Sequence, residues 1–168
     1  MWRGGTSDIG WVFGENSSKA EADASLQKFL YLGVFPMAPF PQSDHAIVPN
    51  PRADELYLDY GPLFQAMRGK KWVLLPHVLS VDAQGVKANV FQVPEGYVVP
   101  ITFGASAPMV KVTIRGIPEI LAAKKLKCEQ IHPGETQWQS CVPRISENTI
   151  TQEVPLRRGC AMVRLGIE

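Results

Sequence analysis

The sequence predicts an α+β chain, with a helical βα lead-in over residues 1–69 and an antiparallel β-sandwich of about seven or eight strands over residues 70–168. Three observations carry that expectation. Apolar residues recur at helical spacing before Gly69 and at a period of two after it. Short apolar runs in the second part are separated by turn residues at regular intervals. The chain has 168 residues, 45% of them hydrophobic, enough to bury a core in one domain with an appendage.

The first helix is expected over Ser18–Leu32. Ser18-Lys19-Ala20-Glu21 is a capping box, in which the Ser hydroxyl and the Glu carboxylate each satisfy a backbone N–H that the first turn leaves orphaned. Leu26, Phe29 and Leu30 follow at helical spacing, and Gly33 supplies the stop. Val34–Ala38 then reads as a short apolar strand running into a Pro-rich loop that holds Ser43-Asp44-His45. Asn50-Pro51 opens a second helix over Pro51–Arg68, because proline at the first helical position lacks only an N–H that has no partner there. Leu56, Tyr60, Leu63, Phe64 and Met67 form its apolar stripe, and Gly61-Pro62 predicts a kink or a division into two short helices.

Beyond Gly69 the expected strands are Trp72–Val81, Val86–Val93, Tyr97–Phe103, Val110–Ile114, Leu121–Ile131, Thr136–Val142, Thr149–Val154 and Ala161–Leu165. Turns fall at Asp82–Gly85 and Pro94–Gly96. Pro76 and Pro100, lying inside strands, predict edge positions or bulges. A strand at Val34–Ala38 wants parallel neighbours that the rest of the chain does not supply.

Composition excludes several functions. Seventeen basic against sixteen acidic residues give a formal charge of +1, with no basic block, so no nucleic-acid partner is expected. Every long apolar run is interrupted by Gly, Pro or a charge, so no membrane span is expected. Met1–Asp8 has no apolar stretch of signal-peptide type, which implies a cytoplasmic protein if Met1 is the true start. There is no phosphate-binding loop, dinucleotide fingerprint or nucleophile elbow, and Cys128, Cys141 and Cys160 lack metal-ligand spacing. No cofactor or metal is expected. The cysteines read most simply as small buried residues in a reduced cell. The sharper alternative is that, if His132-Pro133-Gly134-Glu135 forms a turn, Cys128 and Cys141 lie about equally far from it and can face each other, which makes a cross-strand disulfide sterically conceivable.

The segments Lys28–Pro36 through Ser43-Asp44-His45, Tyr57–Phe64, Gly69–Leu74 and Arg157–Val163 resemble the tail of large bacterial glycoside-hydrolase-like proteins. In that architecture a (β/α)8 barrel precedes a C-terminal β-sandwich. The resemblance implies that the first helix is the barrel's penultimate one, Val34–Ala38 its last strand and Pro51–Arg68 its last helix. Most of the barrel would then be absent, and with it the strand ends from which barrel chemistry is assembled.

Glycoside hydrolysis needs two carboxyl groups flanking the scissile bond. Asp44, on the loop after the last barrel strand, is the best-placed carboxylate, with His45 to orient it; both are candidate substrate-binding residues, against the plain alternative of an Asx turn at Ser43-Asp44. Asp8 and Glu15 are candidates for a second carboxylate, and Trp2, Trp11 and Trp72 for stacking on sugar rings, Trp72 reading more simply as core. His77 and His132 read as structural, without a Cys or carboxylate partner at useful spacing. The expected function is therefore a non-catalytic accessory module of a carbohydrate-active glycoside-hydrolase-like enzyme, partnered by the missing barrel or by a second copy. The alternative is a free-standing carbohydrate-binding sandwich.

Overall fold

A computed structural model of the chain describes residues 18–36, 51–123 and 125–167, with the side chains of 51–54 left aside. Helix α1 spans Lys19–Leu32. Its capping box is formed as expected: the Glu21 N–H donates to Ser18 Oγ at 3.2 Å and the Ser18 N–H to Glu21 Oε2 at 2.7 Å. Gly33 ends it at φ 67°, and a Cβ there would lie 2.8 Å from the Phe91 ring, so the helix end sits on the sheet at a distance only glycine permits.

Helix α2 runs unbroken over Pro51–Ala66 with Pro62 inside it. Of the two alternatives expected at Gly61-Pro62, the division into two short helices does not occur. The carbonyl that Pro62 leaves without a donor belongs to Leu58, whose side chain is 75% exposed, so water can take the place of the lost bond on that side of the helix.

Eleven strands lie among the described residues: β1 Lys71–Trp72, β2 Leu79–Val81, β3 Lys87–Ala88, β4 Phe91–Val93, β5 Gly96–Thr102, β6 Met109–Arg115, β7 Leu126–Ile131, β8 Gln139–Cys141, β9 Arg144–Ser146, β10 Thr149–Pro155 and β11 Ala161–Ile167. They form two antiparallel sheets. One has seven strands in the order β1-β4-β5-β11-β7-β8, with β3 also on β5, and the other runs β2-β6-β10-β9. The α+β sandwich read from the sequence is the observed fold.

Several elements differ in detail. Trp72–Val81 is not one strand: β1 and β2 belong to different sheets, and the chain passes between them through His77 at φ 54°. Pro76 lies in that turn, outside any strand. Pro100 stands in β5, between β3–β4 and β11, neither at an edge nor in a bulge. Its effect is to split the expected Val86–Val93 strand. Ala88 faces Ile101 and Phe91 faces Val98 in one register, but Asn89 only donates to the Pro100 carbonyl, since proline has no N–H to return. Leu121 closes a short helix, α3 (Pro118–Leu121), so the expected Leu121–Ile131 strand begins only at Leu126. Strand β9 is exposed throughout and gave no periodic signal. Val34 and Phe35 are not in a strand, and the remainder of the expected Val34–Ala38 strand lies largely outside the described residues.

Both faces of the seven-stranded sheet are buried. Tyr97, Val99 and Ile101 of β5 and Ala161, Val163 and Leu165 of β11 point between the sheets, against Val110, Val112, Ile114, Ile150 and Val154. The alternate residues Val98 and Met162 point outward, where they meet Leu26 and Leu30 of α1 and Leu56, Tyr60, Leu63 and Met67 of α2. The apolar stripe of α2 is thus covered by the chain's own sheet. The result is three layers: two helices, a seven-stranded sheet and a four-stranded sheet.

Candidate functional site

A polar cluster centred on Arg158 joins helices and sandwich. Arg158, in the turn between β10 and β11, donates from Nε to Asp23 Oδ2 of α1 at 3.1 Å, and its two terminal nitrogens bond Asp23 and Asp59, the latter from α2. The Tyr60 hydroxyl donates to Asp23 Oδ1 at 3.1 Å, and the guanidinium lies 5.4 Å from the Tyr60 ring centroid. Buried Gln27 completes the cluster. Its amide nitrogen donates to the Arg158 carbonyl at 2.8 Å and its amide oxygen accepts from the Phe103 N–H at 2.7 Å. Phe103 and Arg158 both have positive φ, 62° and 52°, a conformation that non-glycine residues adopt at a cost. One helical side chain therefore holds two strained corners of the sandwich.

Burial by itself would lower the Arg158 pKa, but its bonds to Asp23 and Asp59 reverse this and hold it above the ordinary range. Burial pushes the Tyr60 hydroxyl well up, so it stays a donor. Beside the cluster, α1 and the 103–108 loop line a cleft of about 590 Å³. The carboxylates at this end are already committed to the guanidinium and the phenol. They form a clamp between layers, and Asp23 and Arg158 also line the cleft.

A second cluster fixes the β7–β8 turn. The Glu135 carboxylate accepts from the His132 N–H at 3.0 Å, the His132 Nδ1 at 3.0 Å and Gln139 Nε2 at 3.1 Å, and pairs with Arg157 at 2.9 Å. His132 Nε2 lies 2.8 Å from the Pro155 carbonyl, so both ring nitrogens face acceptors. His132 is structural, as expected, but it has the carboxylate partner that the sequence reading denied it: Glu135, three residues on and brought round by the turn. Burial alone would raise the Glu135 carboxyl, and its bonds to His132 outweigh burial and hold it below the usual range. A carboxyl depressed on folding stabilises the fold above its unfolded pKa, and that contribution fades as the pH falls through the folded value. Glu135→Gln is therefore expected to lose about 1–2 kcal/mol at neutral pH. The gap in Tm between variant and parent should narrow below about pH 4; a gap independent of pH would refute this assignment.

Asp44 and His45, with Asp8, Glu15, Trp2 and Trp11, lie outside the described residues. Trp72 is not a core residue: it is 50% exposed on edge strand β1, edge-on to Phe91 at 5.0 Å. His77 occupies the β1–β2 turn. Among the described residues no group of three or more His, Cys, Asp or Glu side chains is gathered to hold a metal, and no helix is long and apolar enough to cross a membrane. Sequence reasoning missed the Arg158 clamp, since its members are 99 and 135 residues apart in the chain.

No protein-family model and no curated protein matches the sequence. Two solved structures share the fold. The GH30 endoxylanase of Clostridium papyrosolvens aligns over 95% of this chain and 42% of its own, at 10% identity and a TM-score of 0.54. The glycoside hydrolase family 30 subfamily 8 xylanase of Clostridium acetobutylicum aligns over 95% of this chain and 41% of its own, at 7% identity and a TM-score of 0.51. This chain therefore spans less than half the length of either xylanase, and what it shares with that part of them is its fold: a sandwich with helices docked on one face.

Proposed function

We infer that this chain is the non-catalytic C-terminal accessory part of a carbohydrate-active, glycoside-hydrolase-like enzyme. The observation that carries this reading is the likeness to two xylanases over nearly all of this chain but under half of theirs. The clamp supports it. Arg158, Gln27, Asp23 and Asp59 lock two helices to the sandwich, as a module that carries load between a catalytic part and its support requires. Asp44 and His45, in the sequence between α1 and α2, are the residues proposed to contact sugar. The partner is a barrel domain or a second copy of the chain, and Leu58, Leu74 and Leu75, at 75%, 85% and 45% exposure, are apolar surface for it to cover.

A second reading, a free-standing carbohydrate-binding protein, is favoured by Trp72, an aromatic side chain half-exposed on edge strand β1. Affinity electrophoresis through xylan and other polysaccharides, with a reducing-sugar assay on the same samples, separates the readings. The accessory module is expected to release no sugar and to show, at most, weak retardation that Asp44→Asn diminishes. Strong retardation abolished by Trp72→Ala favours the binding protein. Sugar release that Asp44→Asn abolishes excludes a non-catalytic role.

A further inference from the structure

The antiparallel pairing of β7 with β8 sets Cys128 directly opposite Cys141. Their Sγ atoms are 2.6 Å apart, inside the roughly 3.5–4 Å at which unbonded heavy atoms come to rest. The backbone thus already brings the two sulfurs nearly to bonding range, and no strand has to move for them to join. The third cysteine cannot compete. Cys128 and Cys141 belong to the core between the sheets, while Cys160 is buried on the opposite face, under the helices.

We propose that Cys128 and Cys141 are a disulfide site, and that their bond ties β8, the last strand of the seven-stranded sheet, to β7. The bond closes the turn that holds the His132–Glu135 pair and Trp138, whose ring lies 4.3 Å from the Arg164 guanidinium. It replaces a thin attachment, since β8 pairs over three residues only and is largely exposed.

The reaction is thiol–disulfide exchange with a small-molecule or protein disulfide. Cys141 is the attacking sulfur. It is only half-buried, and the hydrogen bond from Cys128 lowers its pKa, whereas that same bond and burial push Cys128 up. The Cys141 thiolate attacks one sulfur of the donor disulfide, whose S–S bond breaks and releases one thiolate. The Cys128 thiol then gives up its proton, attacks the Cys141 sulfur and displaces the second thiol. Two cysteine thiols are oxidised by two electrons and the donor is reduced to two thiols, which take up the two protons. Such a cross-link persists in an oxidising compartment and opens in a reducing one.

The test is a thiol count on the whole chain. The protein is equilibrated folded with mixed reduced and oxidised glutathione, quenched in acid, unfolded and alkylated with iodoacetamide. The intact mass is expected to show one adduct, mapped to Cys160, and the digest a peptide pair joined through Cys128 and Cys141. Prior treatment with a strong reductant is expected to give three adducts. Three adducts after the glutathione step, a glutathionyl-Cys141 that proceeds no further, or a bond to Cys160 overturns the proposal. In a second arm, reductant is expected to lower the Tm of the oxidised parent by several degrees and to leave a Cys128→Ala, Cys141→Ala chain unmoved. An oxidised parent whose Tm ignores reductant removes the claim that the bond secures β8. If the double variant fails to fold, the thiol count in the unsubstituted chain still decides.

Discussion

Gly96→Ala is expected to cost on the order of 4 kcal/mol or more and to leave little soluble folded protein. Gly96 begins β5 and is paired on both sides, with Val93 of β4 and Gly166 of β11. Its φ is 135°, and a Cβ there would stand 2.1 Å from the Leu165 carbonyl oxygen. That oxygen belongs to β11, which is held between β5 and β7, so it has nowhere to retreat. Two other glycines calibrate the measurement. Gly85 has φ 80° with open space around it, so Gly85→Ala meets backbone strain alone and should lose about 1 kcal/mol. Gly61 lies within α2 with nothing near its missing Cβ, so Gly61→Ala should gain about 0.5–1 kcal/mol. Urea unfolding of the three variants checks the order. If Gly96→Ala loses no more than Gly85→Ala, the carbonyl contact is not what requires glycine.

Arg158→Ala is expected to cost about 3 kcal/mol, because it leaves Asp23 and Asp59, only 14% and 20% exposed, without their cation. An exposed ion pair would cost under about 1 kcal/mol, so a loss that small would mean the clamp is solvated and carries little. Two further substitutions separate backbone from side chain. Arg158→Gly removes the same guanidinium but relieves the positive φ, and should be milder than alanine by about 1 kcal/mol. Arg158→Lys keeps the charge, yet a single ammonium cannot bond Asp23 through two nitrogens and Asp59 through a third, so it should recover only part of the loss.

The clamp marks where sequence reasoning reached its end. Ser18 and Glu21 announced the start of α1 because a capping box is made by residues three apart, and the observed bonds are those two. The β5 and β11 alternation was legible for the same reason: each strand carries its own inside and outside pattern. Arg158 had no local signature. It belongs to an ordinary turn sequence, and only the docking of two helices on the sheet puts it between Asp23 and Asp59. Trp72 went the other way, since its composition suggested core while its place on an edge strand leaves it half-exposed.

The carbohydrate-binding reading stays tied to the loop of Asp44 and His45, chosen from the order of elements and the resemblance to a barrel's end. Both residues lie outside the described structure, which shows α1 and α2, the helices before and after them in the chain, held to the sandwich. The apolar stripe of α2 is spent on the chain's own sheet, so a barrel or a second copy would have to dock on other surface.

By itself the sequence determined the two long helices, most of the strands, the two-sheet class and the possibility that Cys128 meets Cys141, since all of these follow from spacing along the chain. Tertiary structure alone decided which strands share a sheet, that both faces of the larger sheet are covered, and that Gln27 and Arg158 hold helices to sandwich. Those outcomes rest on contacts between residues far apart in sequence, whose energies come from burial and from opposed charges meeting out of water. A period marks a face as buried without saying which distant face covers it, and an ion pair between residues 99 or 135 positions apart leaves no motif in the chain.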